Sequence, residues 1–200
     1  MTCSIIGSGS VGAAIASQFA RSGITVGIAN TRGPESIASM AQELGDKVIP
    51  LTLQEALKAD VIILAVPFWA HREVAKAAVS WKGKVVIDAT NAYGVPLSEL
   101  DNLPSSAVVA KAFPGASLVK AFNHLPAKVL TEDPVSAGGR RVIFLSSDDE
   151  AASATVAAFV ERLGYAAVSL GRIAEGGQLV QARDKSWAPL IFQDLFKKEH

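Results

Sequence analysis

The chain leaves its first apolar run, Cys3–Ile6, through Gly7-Ser8-Gly9-Ser10-Val11-Gly12, after which Val11, Ile15 and Phe19 recur at a spacing of four. A short β-branched run followed by helical periodicity predicts a strand, a tight turn and a helix. Each glycine has its own task in such a turn. Gly7 permits the bend, Gly9 lets the backbone approach a ligand closely, and Gly12 lets the helix pack on the strand. The start of the helix offers unpaired N–H groups and the positive end of its dipole, which hold phosphate. A glycine turn alone is weak evidence, but at the opening of a strand–turn–helix–strand unit it points to dinucleotide binding.

The rest of the chain repeats this alternation. Strand-like runs fall at Cys3–Ile6, Thr25–Ala29, Val48–Pro50, Val61–Val66, Val85–Asp88, Leu118–Ala121, Val142–Ser146 and Ala166–Leu170. Helical spacing falls at Val11–Ser22, Glu35–Leu44, Leu53–Lys58, Trp69–Ser80, Asp149–Leu163 and across Ala174–Lys198, with Thr90–Pro104 irregular. Most of the strands are apolar on both faces, as parallel strands covered by helices on each side must be. The expected fold is therefore α/β: a Rossmann-like, doubly wound, mainly parallel sheet with a small C-terminal helical extension.

Composition removes several classes of function. Nineteen Lys+Arg balance nineteen Asp+Glu without a basic run. A phosphate-backbone binder needs clustered cations, so nucleic acid is not an expected partner. The single cysteine, Cys3, excludes an internal disulfide and fits the cytosol, and three isolated histidines make no metal site. The most apolar stretch, Val61 to Ala70, is interrupted by Pro67 and falls far short of the ~20 residues of a membrane span. With no basic export leader visible, the expected location is the cytoplasm.

About 20 residues beyond the glycine turn, where NAD-binding chains place an acid on the ribose 2′-hydroxyl, this chain has Asn30-Thr31-Arg32. Nothing there repels a 2′-phosphate, and Arg32 offers a planar fork of donors to one, so the expected cofactor is NADP(H). The other reading makes Arg32 a solvated loop residue. Ligands in open α/β sheets bind outside the carboxyl ends of the strands. That places Ala65, Val66, Pro67 and Phe68 as walls for ribose and nicotinamide, and Thr90 and Asn91 as polar contacts; Phe68 and Trp69 read equally well as core. Asp88 reads as a cap of the Thr90–Asn91 turn. In Lys120–Ala127, His124 reads either as a proton donor or polar contact to a second ligand, or as a structural histidine. Short-chain dehydrogenases are excluded because Tyr93 and Tyr165 are followed, four residues on, by Leu97 and Ser169 rather than Lys.

Taken together, Ile5–Gly12, Asn30–Arg32, Ala65–Phe68, Asp88–Asn91 and Val119–Ala127 make the chain resemble the NADP-dependent F-420 reductase family, whose nucleotide-binding domain is also found in the STEAP metalloreductases. The resemblance spans nearly the whole chain. It implies a compact Rossmann-like domain, usually a homodimer, passing hydride between NADPH and a deazaflavin. By position it implies Ser8, Gly9, Ser10 and Val11 on the pyrophosphate, Thr31 and Arg32 on the 2′-phosphate, and Val66, Pro67 and Ala127 at the nicotinamide. Asn123 and Leu125 would border the deazaflavin. Asn123 replaces a family His, His124 a Thr, and Gln178 an Arg. The expectation is one domain over residues 1–200, with 125–200 completing the acceptor pocket and the dimer contacts. Two functions are open. One is an NADPH-dependent oxidoreductase acting without a catalytic dyad on a flat small-molecule acceptor: coenzyme F-420, FMN or FAD. The other is an NADP(H)-binding sensor or reductase module. An apolar stripe, Leu179–Val180, Trp187–Phe192 and Leu195–Phe196, is expected to be buried in part by a second subunit, the alternative being packing on its own sheet.

Overall fold

The computed structural model describes residues 1–136, 138–183 and 195–198. In chain order the elements are β1 (Cys3–Ile6), α1 (Ser10–Arg21), β2 (Val26–Ala29), α2 (Ala38–Leu44), β3 (Val48–Pro50), α3 (Leu53–Ala56), β4 (Val61–Leu64), α4 (His71–Ala77) and β5 (Val85–Asp88). They continue as α5 (Ser105–Ala112), β6 (Ser117–Lys120), α6 (Ala127–Thr131), β7 (Val135–Ser136), β8 (Gly139–Ser147), α7 (Glu150–Arg162), β9 (Ala166–Ser169), α8 (Gly176–Leu179) and β10 (Phe196–Lys198).

Among the described residues one sheet runs in the order β10-β8-β6-β5-β4-β1-β2-β3, with β7 and β9 also paired to β8. From β3 to β6 every pairing is parallel, and the order reverses between β1 and β4, the crevice where doubly wound sheets bind ligands. The alternation along each strand divides the core. Ile5, Ile28 and Ile63 pack with Ile15, Phe19 and Val156 on one face. Ile6, Ile62 and Leu64 pack with Val74, Val109 and Phe113 on the other. The expected Rossmann-like α/β sheet is what forms.

Three expectations are corrected. Ser105–Ala112 and Ala127–Thr131 are helices, each begun directly after a proline, which fixes its own φ and favours a helix start. The C-terminal helix over Ala174–Lys198 is not continuous: Gly176–Leu179 is one short helix, and Phe196–Lys198 is a strand antiparallel to Gly139–Arg141. Two glycines weaken that helix start, while β8 offers a free edge; Trp187–Phe192 lies outside the described residues. Finally β8, expected as Val142–Ser146, is longer and antiparallel to β6, pairing Val119 with Ser147 and Lys120 with Ser146.

No helix among the described residues is long and apolar enough to cross a membrane. No group of three His, Cys, Asp or Glu able to hold a metal ion occurs among them.

Candidate functional site

Backbone clearance separates the three turn glycines. A Cβ on Gly7, whose φ is +114°, would stand 2.1 Å from the Ala65 carbonyl oxygen, and one on Gly12 would stand 1.9 Å from the Gly7 carbonyl oxygen. Both are required by the fold itself. Gly9 is different: a Cβ there would meet nothing within 4 Å. Gly9 is also the N-cap of α1, and no side chain caps that end. The turn therefore keeps an open approach to uncapped N–H groups, the combination a pyrophosphate fills.

The loop after β2 is organised by Asn30. Its amide nitrogen donates to the Ser8 hydroxyl at 2.7 Å and to the Ser36 hydroxyl at 3.0 Å, while its oxygen accepts the Arg32 N–H at 2.8 Å. Asn30 is thus a clamp that ties the glycine turn to the following loop, with its amide already engaged. Thr31 and Arg32 project exposed from that loop, and the Arg32 side chain has no ion pair among the described residues.

At the ends of β4 and β5 a recess of about 240 Å³ is lined by Gly9, Ser10, Val11, Ala65, Val66, Pro67, Phe68, Ala89, Thr90, Asn91 and Tyr93. The Thr90 hydroxyl donates to Asp88 at 2.6 Å, so its proton is committed to the turn beneath the recess. Asp88 also accepts the Thr90 N–H and the Ser106 hydroxyl, and lies 3.5 Å from the Lys120 ammonium. Both charges are buried, at 0% and 1% side-chain exposure. Burial opposes the charged carboxylate, but Lys120 and the Ser106 and Thr90 hydrogen bonds outweigh it and hold its pKa below the usual carboxylate range. Lys120 in turn donates to the Thr90 carbonyl at 3.2 Å. Asp88 caps the turn as expected, and this buried pair anchors the strand ends beneath the cleft.

A second recess, of about 210 Å³, is lined by Ser10, Val11, Ala89, Asn91, Tyr93, Phe122, Asn123, His124, Leu125, Pro126 and Ala127. It shares Ser10, Val11, Ala89, Asn91 and Tyr93 with the first, so the two are halves of one cleft. Two devices bring this half to the glycine turn. Phe122 holds a left-handed φ of +64°, costly for a bulky residue, which turns the chain out of β6. Gln18 on α1 then donates to the carbonyls of Leu130 and Glu132 at 2.6 and 3.0 Å, docking α6 on α1. Asn91 donates to the Asn123 carbonyl at 2.7 Å and accepts from Asn123 and from the Ala182 N–H; Asn123 also donates to the Val180 carbonyl at 2.7 Å. Asn91 is therefore a tie to the C-terminal segment, with its amide committed.

His124 is buried, and its Nε2 lies 3.3 Å from the Val142 carbonyl oxygen. A carbonyl only accepts, so that nitrogen carries the proton, and Nδ1 has no partner among the described residues. Burial pushes its pKa down to about 4. A neutral ring whose one N–H is committed to the backbone is a poor proton donor at neutral pH, which corrects that reading. His71 is structural: its Nδ1–H donates to the Phe68 carbonyl, and its ring packs beside Phe68 and Phe113. Phe68 is buried among Trp69 and His71 and touches the cleft from the core side. Gln178 donates to the Ala174 carbonyl at 2.9 Å and lines a separate recess with Leu97, Pro104 and Leu179, away from the cleft.

The structure thus gathers Gly9, Ser10, Val11, Ala65, Val66, Pro67, Thr90, Asn91, Asn123, His124, Leu125 and Ala127 around one cleft. Gly7, Gly12, Ser8 and Asn30 support it from behind. Sequence reasoning missed the buried Lys120 and Ser106, the Val180–Ala182 backbone and Tyr93. The only signal for Lys120 was a lysine in an otherwise apolar strand.

Residues 2–92 match the model of the family described as NADP oxidoreductase, coenzyme F-420-dependent. A hypothetical protein of Sinorhizobium meliloti has a structure similar to this one at TM-score 0.91 and 40% identity, covering 99% of this chain and 96% of its own. A candidate F-420-dependent NADP-reductase of Arthrobacter sp. FB24 aligns at TM-score 0.74 and 25% identity, over 90% of both chains. A reductive aminase of Aspergillus terreus, in complex with NADPH and ethyl-5-oxohexanoate, shares the fold at TM-score 0.65 and 22% identity over 89% of this chain, which spans 57% of it. Over residues 2–92 the chain thus matches the coenzyme F-420-dependent NADP oxidoreductase family, and these similarities support an NAD(P)-dependent oxidoreductase.

Proposed function

We propose that the protein passes hydride between NADPH and a flat, conjugated acceptor, coenzyme F-420 or a flavin such as FMN or FAD, held in the half of the cleft around Asn123–Ala127. The observation that carries the reading is one cleft with two unlike halves meeting at Ser10, Val11, Ala89, Asn91 and Tyr93. The nicotinamide cofactor supplies the hydride chemistry when bound. The chain's own residues bind and orient. Gly9, Ser10 and Val11 receive the pyrophosphate at the start of α1, with Gly7 and Gly12 giving the backbone its clearance and Asn30 fixing Ser8. Thr31 and Arg32 take the 2′-phosphate. Ala65, Val66 and Pro67 wall the nicotinamide, the Thr90 backbone and Asn91 close its floor, and Ala127 bounds it from the acceptor side. Asn123, His124 and Leu125 line the acceptor half. No acid–base residue is needed, since positioning two rings face to face does most of the work.

The test is loss of NADPH absorbance with the purified protein and coenzyme F-420, FMN, FAD, a quinone or a flavin-bound ferric chelate in turn. Turnover with a planar acceptor is expected. NADPH binding without oxidation by any of them overturns the reading in favour of an NADP(H) sensor or reductase module.

Residues 1–200 act in this reading as one domain whose part after 125 completes the acceptor half, and two copies form a homodimer. Leu179 and Leu195 are 68% and 43% exposed, which supports a partner surface there. Light scattering on the full chain is expected to give a dimer; a monomer refutes it.

A further inference from the structure

Among the described residues Tyr93 is the one aromatic side chain that lines both halves of the cleft. The residue is 54% exposed, although the backbone on either side is fixed. Asn91 is tied to Asn123 and to the Ala182 N–H, and the Gly94 N–H donates to the Arg183 carbonyl at 2.6 Å. The other aromatics at the cleft are already engaged: Phe68 packs edge-on to Trp69 and Phe122 edge-on to Tyr165, and both are buried. Tyr93 has neither a ring contact nor a hydrogen bond among the described residues. A large apolar ring held in water on a fixed backbone, at the junction of a two-part cleft, gains most by stacking on a flat partner.

We propose that Tyr93 is a specificity-determining residue whose ring stacks on the acceptor where it meets the cofactor half, selecting planar conjugated ring systems over compact carbonyl substrates. The proposal rests on the hydride-transfer reading for the identity of the ligand, but stacking is a binding property that is measured without turnover.

The experiment titrates FMN and coenzyme F-420, each followed by its own fluorescence, into the NADP+-saturated protein and its Tyr93→Ala and Tyr93→Phe variants. Because Tyr93 is exposed, both variants are expected to melt with the unaltered protein, which thermal unfolding checks. Tyr93→Ala is expected to weaken the tighter-bound of the two ligands by about tenfold, and Tyr93→Phe to stay within about twofold, because stacking needs the ring and not the hydroxyl. Three results overturn the proposal: equal affinity in Tyr93→Ala, equal losses in Tyr93→Ala and Tyr93→Phe, or no binding of either ligand to the unaltered protein. Binding that depends on the ring, without NADPH oxidation, would sink the hydride-transfer reading and leave the stacking role standing.

Discussion

The two halves of the cleft are assembled by different means. The glycine-turn end of the cofactor half is built from two short segments, Gly7–Gly12 and Asn30–Gly33, whose geometry is set by glycine clearance and the Asn30 clamp. The acceptor half joins residues far apart in the chain: Asn91 to Asn123, Asn123 to Val180, Ala182 back to Asn91, with α6 pinned to α1 by Gln18. In the proposed reading, a cofactor common to many proteins is met by a backbone device, whereas a particular acceptor is met by a wall that only tertiary packing brings together. Four measurements break or sharpen that contrast.

The largest effect is expected beneath the junction. Lys120→Met leaves Asp88 charged and unpaired in the core, which should lower stability by about 3–5 kcal/mol in urea unfolding. The double variant Asp88→Asn/Lys120→Met, which removes both charges, should recover part of that. Equal losses in the single and double variants would show that the charges are not what holds the strand ends.

Acid should strike the acceptor half next. His124 is neutral in the fold, with its pKa lowered from 6.5 to about 4 by burial, so the unfolded chain takes up the proton first. Stability is then whole above about pH 6.5 and falls by about 3 kcal/mol as the pH drops toward 4. His71, also lowered by burial, acts in the same direction. Asp88, with its lowered pKa, loses its contribution only as the pH falls below about 4. His124→Gln should flatten much of the slope between 6.5 and 4; an unchanged slope would place the titration elsewhere.

In the cofactor half the effects should appear in binding. Arg32→Ala is expected to weaken NADPH by about 1.5–3 kcal/mol, the scale of a hydrogen bond to a charged group, with little change for NADH. Calorimetric titration of both cofactors checks this, and equal losses would remove Arg32 from the 2′-phosphate. Gly9→Val should shift stability least, by less than about 1 kcal/mol, since its Cβ meets nothing. It should still cost both cofactors at least about tenfold in affinity by filling the approach to the turn. Retained tight binding would make the turn purely structural.

Much of the fold could be read directly. Apolar runs such as Val61–Leu64 are too short for helices and buried on every residue, as parallel strands must be. Two helices escaped because their own patterns are weak: Ser105–Ala112 is small-residue-rich and Ala127–Thr131 spans barely a turn. The proline ahead of each was the usable sign. The C-terminal strand escaped because pairing with β8 is a long-range choice that periodicity cannot reveal. At the site, the clearance that Gly7 and Gly12 need was legible in the motif, whereas the work of Thr90, Asn91 and Asn30 as clamps was not. A side-chain amide or hydroxyl shows in sequence that it can bond, not which partner takes the bond.

The amino-acid order by itself determined the strand–turn–helix opening and its phosphate-compatible backbone, because the conformational freedom of a glycine belongs to the residue itself. It also determined the alternation that makes a parallel sheet. Only the tertiary structure decided which polar groups remain available at the cleft. It paired Lys120 with Asp88, committed the His124 proton to Val142, locked Asn91 against Asn123, and left Tyr93 uncovered. Those outcomes depend on desolvation and on partners dozens of residues apart, quantities that exist only once the chain has packed.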